Sequence, residues 1–182
     1  GVQAAGEVTL TITGTGAGTF ALGKGVVVSA GVTQTGGTAT LGTDYAAFGI
    51  QTVTFDGGAV DGTVASGAVA SATLNVTNDR LLEDLETVLL TLGNASGPAT
   101  SLGDTANATT IADNESATLS IAATSTVTEE GDAQAVGVVT LTITGTGAGA
   151  LALGQGVVVS AEVTQTGGTA TLGTDYAAFG IQ

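Results

Sequence analysis

The chain has 182 residues and a formal net charge of −14, and it contains no Cys, His, Met or Trp. Its two basic residues, Lys24 and Arg80, stand against sixteen acids. Nucleic acid is therefore excluded as a partner, because phosphate binding needs clustered Lys and Arg. No run approaches the roughly 20 apolar residues of a membrane span, so we expect no membrane insertion in this segment. Without His or Cys, the usual Ser-His and Cys-His nucleophiles cannot form, and we expect no enzyme and no catalytic residue.

Alternating apolar and polar residues predict half-buried antiparallel strands along the chain. The first alternation covers residues 8–13, and the apolar run 26–28 is typical of a central strand. Alternation returns at 52–55, 72–77, 88–92 and 117–121, with glycine-rich turns between these segments. No segment predicts a convincing helix. This pattern of short strands and turns is typical of an all-β protein built as a β-sandwich.

A long internal repeat organises the sequence. Residues 8–51, the first repeat segment, recur as residues 139–182, the second repeat segment, with four mismatches in 44 positions. The offset of 139 − 8 = 131 residues suits a whole domain. Two segments this similar indicate tandem repeats of 131 residues within a longer array.

Acidic residues gather in the loops that follow or precede the predicted strands. In a β-sandwich the loops cluster at two ends, so carboxylates from several loops can converge. Two unit charges about 4 Å apart repel by about 4 kcal/mol at an effective dielectric of 20. The sequence has almost no Lys or Arg to offset this repulsion, and Ca²⁺ accepts six to eight oxygen ligands in irregular loops. The alternative is that these acids are solvated and aid solubility.

Four segments together resemble the Calx-beta domain family. They are Thr128-Glu129-Glu130-Gly131-Asp132, the glycine-rich segment 36–45 that ends in Gly-Thr-Asp-Tyr, the acidic segment 78–87, and Ile111-Ala112-Asp113-Asn114-Glu115. The resemblance implies an immunoglobulin-like antiparallel β-sandwich with Ca²⁺ at one end. It also implies a domain frame: residues 1–115 form a repeat that lacks its first strand, and residues 116–182 form the N-terminal part of the next repeat.

The resemblance further implies a set of calcium ligands. In the first repeat they are Asp44, Asp79, Glu83 and Asp113, with Glu86, Asn114 and Glu115 as lesser candidates. In the second repeat they are Glu130 (or Glu129) and Asp175. Asn78 stands where the family often has Asp, which lowers the ligand charge.

The leading hypothesis is a calcium-stabilised structural or adhesive repeat of a large, secreted or cell-surface bacterial protein, forming a filament or matrix. A metal would then replace the disulfides that a cysteine-free chain cannot form. Expected partners are neighbouring repeats of the same protein, with lateral or end-to-end self-association. The alternatives are a regulatory calcium-sensor module, or a glycan- or ice-binding surface built from threonine rows such as Thr9, Thr11 and Thr13.

Overall fold

A computed structural model describes residues 1–129 and 132–182, and none of these residues is helical. Within these ranges the strands are β1 (Val2–Thr9), β2 (Val27–Gly37), β3 (Gln51–Asp56), β4 (Val69–Asn75), β5 (Leu81–Leu82), β6 (Glu86–Ser96), β7 (Ala106–Ile111), β8 (Ser116–Ile121), β9 (Val139–Thr144) and β10 (Ala152–Leu153). The prediction of an all-β fold is thereby confirmed for the part of the chain that the structure describes.

The chain divides into two compact units, which are described separately. The first unit consists of Gly1–Asn78 and Asp84–Ala112. The second unit consists of Asp79–Glu83 and Asp113–Gln182. The division into Calx-beta repeats at residue 115 stays a prediction.

The first unit contains two antiparallel sheets. One has four strands in the order β3-β2-β6-β7, and the other pairs β1 with β4. Apolar side chains from both sheets form one core, as in a β-sandwich. The buried members of this core are Ala5, Ala30, Val32, Tyr45, Val53, Ala72, Leu74, Val88 and Leu90.

Strand position in the four-stranded sheet follows the apolar pattern. The run 26–28 is typical of a central strand, and β2, which begins at Val27, lies between β3 and β6. In β6, Val88 and Leu90 are buried while Leu89 between them is exposed, which is the alternation expected of a strand with one face on the core. The predicted strands at 52–55, 72–77 and 88–92 correspond to β3, β4 and β6, with shifted ends.

The second unit pairs β8 with β9 in antiparallel register, and two residues of β10 with β5 in parallel. The six residues Val139–Thr144 are all in β9, whereas their counterparts at 8–13 leave β1 after Thr9. At that point Leu10 still donates its N–H to Ala68 O at 2.8 Å, and Ile12 then donates to the side chain of Ser66. The strand predicted at 8–13 is therefore complete only in the second repeat segment.

Among the described residues, no helix offers the length and apolar character that crossing a membrane requires.

Candidate metal centre

Asp44 is held by a tight turn of its own sequence. Its Oδ2 accepts a hydrogen bond from the backbone N–H of Thr40, and its own N–H donates to Thr40 O at 3.0 Å. Gly42 closes the turn by donating to Tyr45 O at 2.8 Å. Thr77, just after β4, donates its N–H to Asp44 O at 2.9 Å and ties the turn to the sheet. The turn consequently holds the carboxylate in place, and Asp44 as a whole is only 6% exposed.

Three carboxylates come together around this turn. Asp44, Glu83 and Glu86 each offer one oxygen, and these oxygens all lie within 4.8 Å of one another. Asp44 and Glu86 both belong to the first unit, and Glu86 is the first residue of β6. Glu83 precedes Glu86 by three residues in the sequence and is half-buried. This group of three acids could hold a metal ion.

The charge balance around the three carboxylates favours a cation. Asp44 is buried, and the hydrogen bond from the Thr40 N–H offsets part of the cost of burying its ionised carboxylate. Carboxylates at such short separations also repel one another by several kcal/mol at an effective dielectric of about 20. Since the whole sequence has only two basic side chains, a divalent ion is the chemically simple way to offset this repulsion.

The second unit has its own group of acids around Asp113. Asp113 Oδ2 accepts the N–H of Glu83 at 2.8 Å, and Asp113 Oδ1 accepts the N–H of Asn114 at 2.8 Å. Asp79 Oδ1 accepts the N–H of Leu81 at 2.9 Å, in the same unit. Glu115 lies close enough to Asp113 for their side chains to share a hydrogen bond.

Asp113 and Glu115 have opposite tendencies to ionise. Burial of Asp113 opposes its ionisation most strongly, but hydrogen bonds from Glu83 N–H, from the Glu115 side chain and from neighbouring backbone N–H groups outweigh it, so the pKa of Asp113 is lowered. The pKa of Glu115 is raised, first by the hydrogen bond that its protonated side chain donates to Asp113, then by desolvation and by the negative charge of Asp113. As pH falls, Glu115 therefore takes up a proton before Asp113 does.

Two glycines make room for the acids of the second unit. A Cβ at Gly145 would lie 2.1 Å from Glu115 Oε1, so the Glu115 carboxylate would have to move if residue 145 had a side chain. A Cβ at Gly154 would lie 2.5 Å from Glu83 Cγ, while the N–H of Gly154 donates to Leu82 O at 2.8 Å. Both positions belong to the second repeat segment.

The structure gathers most of the predicted calcium ligands into these two groups. Asp44, Glu83 and Glu86 form the first group, and Asp79, Asp113 and Glu115 lie together in the second unit. Asn114, Glu129 and Asp175 are exposed and do not belong to the group of three. Glu130 lies outside the described residues. Whether any of these residues binds calcium stays a prediction.

Sequence reasoning ranked Glu86 below Asp79 and Asp113, yet Glu86 is one of the three carboxylates that converge on Asp44. It also missed the backbone N–H of Thr40, which fixes the Asp44 carboxylate. A signal for this contact was available in the sequence, because the short segment Thr-Leu-Gly-Thr-Asp-Tyr occurs unchanged at 40–45 and 171–176.

No protein-family model, no curated protein and no solved structure matches this chain. Membership of the Calx-beta family accordingly stays a prediction.

Proposed function

We propose that this chain is a calcium-stabilised structural repeat of a large secreted or cell-surface protein. The observation that carries the proposal is the convergence of Asp44, Glu83 and Glu86 on one point, with Asp44 buried. Three carboxylates give a hard, oxygen-only ligand set of high charge, which suits Ca²⁺ better than a transition metal that prefers nitrogen or sulfur.

The core of the first unit supplies a reason for such an ion. Alanine and valine provide six of its nine buried residues, and only six residues in the whole chain are aromatic. Small side chains bury little apolar area each, so the hydrophobic contribution per residue is modest. The chain has no cysteine for disulfides, and a bound ion would add stability by a different route.

We further propose that the chain folds as an immunoglobulin-like sandwich, that it is repeated in tandem, and that the protein is bacterial and extracellular. The near-identity of segments 8–51 and 139–182 supports repetition, since 40 of 44 positions are the same. In such an array the partners are neighbouring repeats of the same protein. The role is mechanical or adhesive, in a filament or matrix.

The proposal is tested by calorimetry of the whole chain with CaCl₂, with MgCl₂ and with excess EDTA. Calcium at about 100 times its Kd should stabilise the folded state by about 2.7 kcal/mol. For a domain of about 100 residues that corresponds to a rise of roughly 10 °C or more in Tm. Magnesium should do less, because it demands smaller, near-octahedral sites.

The matched variants are Glu86→Gln, in the group of three, and Glu7→Gln, which is exposed in β1 and is not a predicted ligand. Glu86→Gln should remove most of the calcium-dependent rise in Tm, and Glu7→Gln should leave it intact. Equal melting temperatures in calcium and in EDTA for the unaltered chain would refute the proposal.

A further inference from the structure

The second unit contains a short segment whose neighbours in the sequence belong to the first unit. Asp79–Glu83 is part of the second unit, whereas the residues before and after it, Asn78 and Asp84, belong to the first unit. The chain therefore leaves the first unit after Asn78, contributes this segment to the second unit, and returns to the first unit at Asp84. We call Asp79–Glu83 the strap.

Backbone hydrogen bonds hold the strap against β10. The strand β5, which lies within the strap, pairs in parallel with β10. The N–H of Ala152 donates to Arg80 O at 3.1 Å, and the N–H of Gly154 donates to Leu82 O at 2.8 Å. The donors alternate along one segment and the acceptors along the other, as in a regular parallel ladder. The strap is thus an added strand on one edge of this part of the second unit.

Further contacts fix both ends of the strap. At one end, the Arg80 guanidinium lies against the loop before β10, with its Nη1 3.5 Å from Gly149 O and its Nε buried. At the other end, the N–H of Glu83 donates to Asp113 Oδ2 at 2.8 Å. Both residues of β5, which lie between these ends, are half-buried. The second unit therefore contacts the strap along its whole length.

Glycine at position 154 lets the strap approach β10 closely. Gly154 is buried, and a Cβ there would lie 2.5 Å from Glu83 Cγ and 3.0 Å from Leu82 O. At the counterpart Gly23, the nearest atom to such a Cβ is Asp61 Oδ1 at 3.6 Å, which is an ordinary van der Waals contact. The two equivalent glycines thus differ in their surroundings because the strap lies against only one of them.

The strap uses a different edge of this segment from the edge that is paired in the first unit. Ala21, the counterpart of Ala152, forms an antiparallel bridge with Ala65. The hydrogen bonds of this bridge come from the flanking residues, since the N–H of Leu22 donates to Val64 O at 2.8 Å. Neighbouring N–H groups of an extended chain point in opposite directions, so the N–H of Ala21 faces the other edge. Ala152 donates to the strap from that other edge, and the two pairings therefore do not compete.

From these contacts we propose that the strap joins consecutive repeats: each repeat donates its copy of residues 79–83 as an edge strand to the repeat that follows it. This inference rests on the tandem repetition proposed above and adds the surface through which one repeat binds the next. The partner is a repeat of the same protein, and the surface that accepts the strap is its copy of residues 149–154. Recognition comes mainly from backbone pairing, with the strap's arginine and the buried glycine fixing its position.

The strap makes the stability of one unit depend on the other. In repeat arrays, the total stability is approximately the sum of the stability of each unit and of the interfaces between neighbours. The strap is covalently continuous at both ends with residues of the first unit, so unfolding of the first unit releases the ends that hold the strap in position. We therefore expect the second unit to be less stable when the strap is displaced.

Disulfide cross-linking tests whether the strap lies on β10. The chain has no cysteine of its own, so Leu81→Cys with Ala152→Cys introduces one pair, at positions that are register partners. Such partners are about 5 Å apart, a Cα separation that a disulfide can span. The matched control is Leu81→Cys with Ala21→Cys, the equivalent position of the first repeat segment. Under mild oxidation, the first pair should form an intramolecular disulfide in most molecules and the control pair in few.

Amide hydrogen exchange, followed by NMR, tests whether the strap stabilises the second unit. Gly154→Ala crowds the strap, and Leu82→Pro disrupts its pairing from the other side. Both variants should speed exchange of the β8 and β9 amides by about tenfold or more, whereas Gly23→Ala should leave it unchanged.

All of these measurements are made in EDTA, so they do not depend on the calcium response that tests the proposed function. Equal disulfide yields from the two cysteine pairs would overturn the docking of the strap. Equal exchange rates in Gly154→Ala and Gly23→Ala, or exchange of the β8 and β9 amides that Leu82→Pro leaves unchanged, would overturn its role in joining the units.

Discussion

The backbone N–H of Thr40 donates a hydrogen bond to the side chain of Asp44. Thr171 makes the same bond to Asp175, at 2.7 Å, in the second repeat segment. Asp44 is buried and Asp175 is exposed, so the turn forms in two different environments. This equivalence makes Asp175 a matched control for every experiment on Asp44.

Asp44→Asn should weaken calcium binding and keep the turn. The amide oxygen of Asn can still accept the Thr40 N–H, but it carries no charge to attract a divalent ion. We expect the calcium-dependent rise in Tm to fall by at least half, while Asp175→Asn leaves it unchanged. Calorimetry with and without calcium measures both effects. Identical calcium responses in the two variants would show that the Asp44 site is not where the ion binds.

Asp113→Asn should lower the pKa of Glu115 towards its ordinary value, because the raised pKa of Glu115 comes first from its hydrogen bond with Asp113. Carboxyl-carbon NMR titration of the metal-free chain measures this directly. In the unaltered chain, Asp113 should titrate at lower pH than Glu115. If Glu115 titrates identically in the variant, Asp113 is not the cause of its raised pKa.

The pKa shifts of Asp113 and Glu115 make the free energy of unfolding depend on pH in opposite ways. The pKa of Asp113 is lowered on folding, so its contribution is present above its unfolded pKa and is lost as pH falls through the folded value. The pKa of Glu115 is raised on folding, so its contribution is present below its unfolded pKa and is lost as pH rises through the folded value. Asp113→Asn should therefore flatten the acid limb of the stability profile.

Gly37→Ala should destabilise the protein much more than Gly168→Ala. Both glycines have positive φ, at 128° and 140°, and they occupy equivalent positions in the two repeat segments. A Cβ at Gly37 would lie 2.1 Å from Thr87 O, whereas nothing lies within 4 Å of one at Gly168. We expect a difference of roughly 1–3 kcal/mol in unfolding free energy, measured by urea denaturation. Equal losses would mean that backbone strain alone sets the cost.

Leu90→Ala and Leu89→Ala test which face of β6 packs against the core. Leu90 is 2% exposed in the core and Leu89 is 41% exposed on the other face. Truncating Leu90 should cost about 2–5 kcal/mol through lost burial and the cavity left behind. Truncating Leu89 should cost about 1 kcal/mol or less. The urea midpoints of the two variants provide the comparison, and a larger loss for Leu89 would contradict the sheet orientation.

Local pattern was sufficient to predict the all-β class, and the central position of β2 followed from its apolar run at 26–28. The sequence predicted more calcium ligands than the structure brings together. Asp44 and Glu86 are far apart in sequence and meet because the turn after β2 packs on the sheet that β6 enters. Asp175 has the same local sequence as Asp44 but remains exposed, and no sequence pattern distinguishes the two.

Comparison of the two nearly identical repeat segments shows which structural features the local sequence determines and which it does not. The turn at 40–45 and its counterpart at 171–176 have the same hydrogen bonds, because every donor and acceptor lies within six consecutive residues. Residues 27–37 form β2, yet their counterparts 158–168 form no strand. A strand needs hydrogen-bond partners from elsewhere in the chain, and β3 and β6 provide them only in the first unit. Turn chemistry is thus encoded residue by residue, while strand formation and the burial of Asp44 depend on which distant segments are present to pair and pack.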